Sequence, residues 1–167
     1  MKNVICFHNP DEENSWFSNW YLSDFEYEGI KFSSLEQYMM YKKAEVFGDE
    51  KTAKKILNTD DPGKIKSLGR EVENYNNTVW NGLRQIIVYE GLYAKFSQNE
   101  ELKEKLLATG EDILAEASGT DTIWGIGLSM TDENRFHMDK WEGQNLLGFA
   151  LMEVRNRIVR NSDSQCK

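Results

Sequence analysis

The spacing of apolar residues changes character early in this 167-residue chain, and that change constrains the fold more than any other feature. Short strand-like runs come first: NVICFH at 3–8, then DFEY and IKF on either side of Glu28-Gly29, where glycine supplies the positive φ of a two-residue hairpin turn. From Ser33 onward helical spacing takes over. Leu35, Tyr38, Met39, Lys42 and Val46 follow it, with Glu36 at the position of a capping-box carboxylate reaching back to the Ser33 amide. Further helices are predicted at about 50–58, from Asp61-Pro62 to Gly69, over 77–97, from Asn99 through Leu107, and over the closing LLGFALMEVRNRIVR. The 77–97 segment aligns Val79, Leu83, Ile86, Tyr89 and Tyr93 in one stripe, which predicts the central core helix. Only ILAEAS at 113–118 reads as a later strand, and 119–144 is aperiodic. A small sheet followed by a mostly helical remainder predicts an α+β fold rather than alternating βαβ units.

A chain of this length buries one sizeable core, so residues 1–160 are expected to form a single helix-rich domain, with 161–167 a flexible polar tail. The formal charge of -8 argues against a general nucleic-acid binder, because phosphate neutralisation needs a basic surface. A nucleotide-sized ligand stays open, and residues 42–70 hold a local basic excess in Lys42, Lys43, Lys51, Lys54, Lys55, Lys64, Lys66 and Arg70. Two cysteines near opposite ends do not make a disulfide framework. With no signal-like apolar segment or membrane-length run, the expected location is the cytoplasm, away from any membrane.

Sequence motifs exclude several chemistries. His8 and His137 stand alone and neither cysteine has a second ligand at zinc-finger spacing, so no metal or other cofactor is expected. Dinucleotide, P-loop and nucleophile-elbow signatures are absent. What remains is a series of aromatic and polar clusters: SNW at 18–20, SLEQY at 34–38, WNGLR at 80–84, DTIWGIG at 121–127 and WEGQNLLG at 141–148. Trp20, Trp80 and Trp124 suit stacking on a base or sugar face, a contact of about 1–3 kcal/mol per base, although Trp80 equally suits core packing. Lys43 and Arg70 suit phosphate, or else surface ion pairs. Asn19 reads as a donor to ribose or a base edge, or as a turn residue.

The order and spacing of F-S-N-W, S-x-E-x-Y followed by Lys43, G-R at 69–70, K-F at 95–96, D-x-x-W-G-x-G, and N-L-L-G with L-M-E-x-R resemble the NADAR family of YbiA-like N-glycosidases and ADP-ribose-processing domains. The resemblance covers about residues 5–158. It implies a cofactor-free hydrolase that cleaves the bond between an anomeric ribose carbon and nitrogen. The implied substrate is ADP-ribose on guanine, in a nucleoside or in nucleic acid; the alternatives are phosphorylated riboflavin-pathway intermediates, or binding of ADP-ribose without turnover. Such cleavage builds positive charge on the sugar, which a carboxylate stabilises while orienting water. The resemblance assigns that task to Glu36, whose other reading is the capping box. Asp121 is a second carboxylate, either helping at the sugar or capping its loop. Through its motifs the resemblance also places Ser18, Tyr38, Gly125, Gly127 and Asn145 in the ligand site, although Asn145 by itself reads as shaping the start of the last helix. Some members carry Trp-Gly-Asp-Gly where this chain has Ile126. That departure, with the longer 128–141 segment, points to the ADP-ribose branch.

Overall fold

The computed structural model describes residues 2–165, so Cys166 and Lys167 of the expected tail lie outside the described residues. The chain forms two compact units, one continuous in sequence (19–98) and one assembled from its flanks (up to 18, and from 99).

In the continuous unit, β2 (Phe25–Tyr27) and β3 (Ile30–Phe32) pair antiparallel around Glu28 and Gly29, whose φ values of 53° and 80° fit a hairpin of type I′. Helix α1 (Leu35–Val46) follows, packed by the strand β3, by α2 (Glu50–Leu57), by α3 (Pro62–Arg70) and by α4 (Asn77–Gln98). This crowding explains why α1 carries no polar stripe: six successive residues from Leu35 to Met40 are buried. Tyr38 sits at the centre of the packing, with ring centroids of Tyr27, Phe32 and Phe25 at 5.2, 5.3 and 5.9 Å.

The expected stripe on α4 is therefore turned. Val79, Leu83 and Ile86 are 45%, 37% and 63% exposed, whereas Trp80, Val88, Leu92, Lys95 and Phe96 are buried. Both faces of this segment are apolar enough to satisfy a helical period, so periodicity could not choose between them. α1, not α4, is the central helix of this unit.

In the flanking unit, β1 (Val4–Phe7) pairs parallel with β4 (Ile113–Glu116), Val4 opposite Ile113. Helix α5 (Glu100–Ala108) precedes β4 and contacts the long α6 (Leu146–Gln165), which in turn packs on β4. Cys6, Ala115, Ala117, Ile126 and Leu128 make one apolar cluster, against which Val4, Met130 and Trp141 pack. Helices thus dominate, as expected of the α+β class, but the strands make two separate two-stranded sheets rather than one.

The aperiodic 119–144 segment is compact despite its composition. Short 3-10 turns occur at Glu133–Phe136 and Met138–Lys140. The Ile126 carbonyl accepts from the amides of Glu142 and Gly143, and the amides of Gln144 and Asn145 donate to Thr122 and Gly125. Backbone groups that lack a helix or strand are thereby paired within the loop. No helix among the described residues is long and apolar enough to cross a membrane.

Candidate functional site

The start of α1 is where the sequence left most open, because both serines of Ser33-Ser34 and both Glu36 and Gln37 suit a cap. Ser34 is the N-cap, its hydroxyl accepting from the Gln37 amide at 3.2 Å. Gln37 then reaches back, its Oε1 accepting from the Ser33 amide at 2.7 Å, while its Nε2 donates to the carbonyls of Ile56 and Thr59. This corrects the expected box: Gln37 closes it, and Glu36 does not. The Glu36 amide donates to the Asn19 carbonyl at 2.9 Å, which fixes the Asn19-Trp20 segment against the first turn. Glu36 is 4% exposed at a helix N-terminus, where the macrodipole favours a negative charge.

Seven residues on, Lys43 returns to the same face of α1. Its Nζ donates to the Gly69 carbonyl at 2.6 Å, at the end of α3, and lies 4.4 Å from the Tyr75 ring centroid and 6.0 Å from that of Trp80. Burial lowers its pKa from the usual lysine value; Arg70 adds to the lowering and Glu36 opposes it. Glu36, Lys43 and Arg70 therefore share one electrostatic neighbourhood. Trp80 is 6% exposed, Arg70 is exposed, and the Nζ of Lys66 stands 5.6 Å from the ring of half-buried Trp20. The side-chain oxygen of Asn19 is buried with no hydrogen-bond partner. Tyr38, in contrast, is a core residue at 1% exposure, and burial pushes its phenol well above the usual range.

The remaining expected residues gather in the flanking unit. Asp121 Oδ1 accepts from the amides of Ile123 and Trp124 at 2.9 and 2.8 Å, and its carbonyl accepts from Gly127. That is a loop-capping role. Trp124 is half-buried, and Gly125 and Gly127 are buried. Asn145 extends the free edge of β4: its Nδ2 donates to the Leu114 carbonyl at 2.9 Å and its Oδ1 accepts from the Glu116 amide at 3.1 Å. Gly148 allows this approach, since a Cβ there would stand 2.1 Å from the Leu114 carbonyl oxygen. Asn145 thus docks α6 on the strand, in line with its reading as a shaper of that helix. Ser18, buried, ends the 3-10 turn Ser15–Phe17.

Ile126 is fully buried in the apolar cluster, so the slot that holds an acid in some relatives contributes packing here. Among the described residues no group of three or more His, Cys, Asp or Glu side chains is placed to hold a metal ion. A cleft of about 470 Å³ lined by Tyr41, Glu45, Gly48, Glu50, Ala53, Lys54 and Leu57 includes none of the expected site residues.

Sequence reasoning gave no site role to three residues of this unit, although K-F at 95–96 had named Lys95 among the motifs. Tyr75 and Lys66 supply the aromatic and cationic partners above, and a helical i, i+4 relation of Lys66 to Arg70 was the available signal for the second. Lys95 is fully buried on the packed face of α4, with its Nζ 5.5 Å from the Tyr21 ring, and burial lowers its pKa to about 7. Its spacing from Val88 and Leu92 placed it on that face once the helix orientation was known.

Residues 6–159 match the family described as the NADAR domain. The chain is 43% identical to N-glycosidase R617 of Acanthamoeba polyphaga mimivirus, covering 90% of this chain and 94% of that protein. It is 37% identical to Protein irg-1 of Caenorhabditis elegans, covering 85% and 74% respectively. The solved NMR structure of Escherichia coli YbiA, a protein named an N-glycosidase, superposes with a TM-score of 0.80 at 27% identity, covering 97% of this chain and 89% of that one.

Proposed function

Since the chain belongs to the NADAR family and is a hydrolase of N-glycosyl bonds, we propose that it releases ADP-ribose from guanine, carried by a nucleoside or by nucleic acid. Glu36 is the working carboxylate. As the bond from the anomeric carbon to nitrogen lengthens, positive charge spreads over the sugar ring, and a buried carboxylate stabilises it far better than one in water. The same carboxylate orients water and takes its proton as the new carbon–oxygen bond forms, while the nitrogen leaves with the electron pair of the broken bond and takes a proton from solvent.

The observation that supports this reading is that Glu36 is buried in the first turn of α1 beside Lys43, while Gln37 closes the cap. Around Glu36 the groups suit a ribose phosphate. The buried Asn19 oxygen accepts from a sugar hydroxyl, Lys43 and Arg70 neutralise phosphate, and the half-buried ring of Trp20 provides stacking surface, while Trp80, 6% exposed, packs in the core. Asp121 and Asn145 belong to the support of the loop and of α6, and Tyr38 to the core. Ile126 in its apolar cluster favours the ADP-ribose substrate over riboflavin-pathway intermediates, because no acid occupies that slot.

The test is release of free ADP-ribose from ADP-ribosylated guanosine and from an oligonucleotide carrying it, followed by chromatography with mass detection. Wild type should release it, and Glu36→Gln should bind the product while losing turnover. Folded wild type that leaves both substrates intact would overturn the substrate assignment. Cleavage of phosphorylated riboflavin-pathway intermediates instead would move the same site to that substrate.

A further inference from the structure

The basic residues of the 42–70 segment are not equally engaged. Lys42 pairs with Glu28 and Glu45, and Lys54 pairs with Glu50. Lys66 and Arg70 are exposed on α3 and, among the described residues, neither forms an ion pair with a carboxylate. They lie four residues apart, which puts them on one face of the helix with Cβ atoms about 6 Å apart. In a chain of net charge -8, two adjacent cations without acidic partners form a local anion-attracting edge.

Each of the two is tied to the neighbourhood of Glu36 by a different route. Arg70 and Glu36 both act on Lys43, whose Nζ is bonded to the Gly69 carbonyl next to Arg70. Lys66 stands 5.6 Å from the Trp20 ring, and the residue before Trp20 holds the Glu36 amide through its carbonyl. The indole face limits the conformational freedom of the lysine, so less entropy is lost when the ammonium meets an anion. A single phosphate next to the ribose is served by Lys43 and Arg70. The further cation at the Trp20 end of the same helix face has no task in that case.

Resting on the glycosidase reading above, we propose that Lys66, steadied by Trp20, contacts the second phosphate of a diphosphate-linked ribose and makes the site select ADP-ribose over a singly phosphorylated ribose. Lys66 is a specificity-determining residue here. It binds the non-reacting end of the substrate and takes no part in bond cleavage.

Calorimetric titration of the full chain with ADP-ribose and with ribose 5-phosphate tests the proposal, using wild type, Lys66→Gln, Lys66→Arg and, as a surface-charge control, Lys54→Gln. Lys66→Gln should weaken ADP-ribose about tenfold and ribose 5-phosphate less than about twofold, with Lys66→Arg restoring most of the loss. Lys54→Gln should change neither. Equal weakening of both ligands by Lys66→Gln, or no weakening of ADP-ribose, would overturn the selectivity and leave the glycosidase reading standing. Wild type that binds neither ligand would overturn both.

Discussion

The first turn of α1 and the loop after β4 each present one carboxylate in a sequence context that suggests chemistry, and they use it differently. At α1, it is the neighbouring glutamine that closes the cap, and Glu36 is buried beside it. In the loop, Asp121 itself caps, one oxygen accepting from two amides. The difference teaches that an acid in a short motif is informative about chemistry only once the backbone's own need for acceptors has been met by something else.

Removing each charge in turn separates the two roles. Glu36→Gln keeps the size of the side chain and should lower ADP-ribose release by about 10²–10⁴-fold, with an unchanged melting temperature within a few degrees. A variant that keeps wild-type turnover would move the working carboxylate elsewhere. Next in size is Asn145→Ala, which strips the paired donor and acceptor from the edge of β4. It should cost about 2–4 kcal/mol in denaturant unfolding, since the Leu114 carbonyl and Glu116 amide are left without that partner. A loss below about 1 kcal/mol would mean that water replaces the side chain at no great cost.

The two units also differ in how they bury a cation. Arg155, 5% exposed, donates to the Thr109 hydroxyl and the Asp112 carbonyl, the latter at 3.0 Å, and so ties α6 to the end of α5. Lys95 is held in the other unit with its pKa lowered from 10.5 to about 7 by burial. Between those two values the unfolded chain binds the proton that the folded chain gives up, so this group makes stability rise with pH and adds nothing further above the unfolded value. Unfolding free energy should climb between pH 7 and 8.5 with a slope of up to about 1.4 kcal/mol per pH unit, and Lys95→Met should flatten the climb. A wild-type profile already flat in that window would refute the burial effect. The smallest expected effect is that of Asp121→Asn. Asparagine keeps an oxygen for the two loop amides, so turnover should stay within about threefold, whereas a loss comparable to that of Glu36→Gln would make Asp121 a partner in the chemistry.

Much of the architecture was legible from local pattern. The hairpin at Glu28-Gly29, the Asp61-Pro62 start of α3 and the long helices all follow from turn chemistry and periodicity, which act within a few residues. Three features were not, each for a tertiary reason. The orientation of α4 was decided by what covers it: Gly91 gives way to the ring of Tyr38, a close approach that no period reports. The cap register of α1 was decided by Gln37 finding the carbonyls of Ile56 and Thr59 across on α2 and its exit. The union of β1 with β4 joins segments too far apart in sequence for any local signal. At the candidate site, residue types were readable where a motif named them. Lys66 and Tyr75 were not, since their meaning comes from neighbours distant in sequence, and K-F at 95–96 named Lys95 without showing its burial.

That parallel pairing also sets a timetable for synthesis. Val4 meets Ile113 across a separation of 109 residues, while the 19–98 unit is complete in itself before its flanks can close. At about 5–20 residues per second, β1 is made many seconds before its partner strand exists. Through that interval Val4–Phe7 is an apolar, unpaired segment on a growing chain, so the step most open to misassociation, and to help from a chaperone, comes before the last third of the protein has been translated.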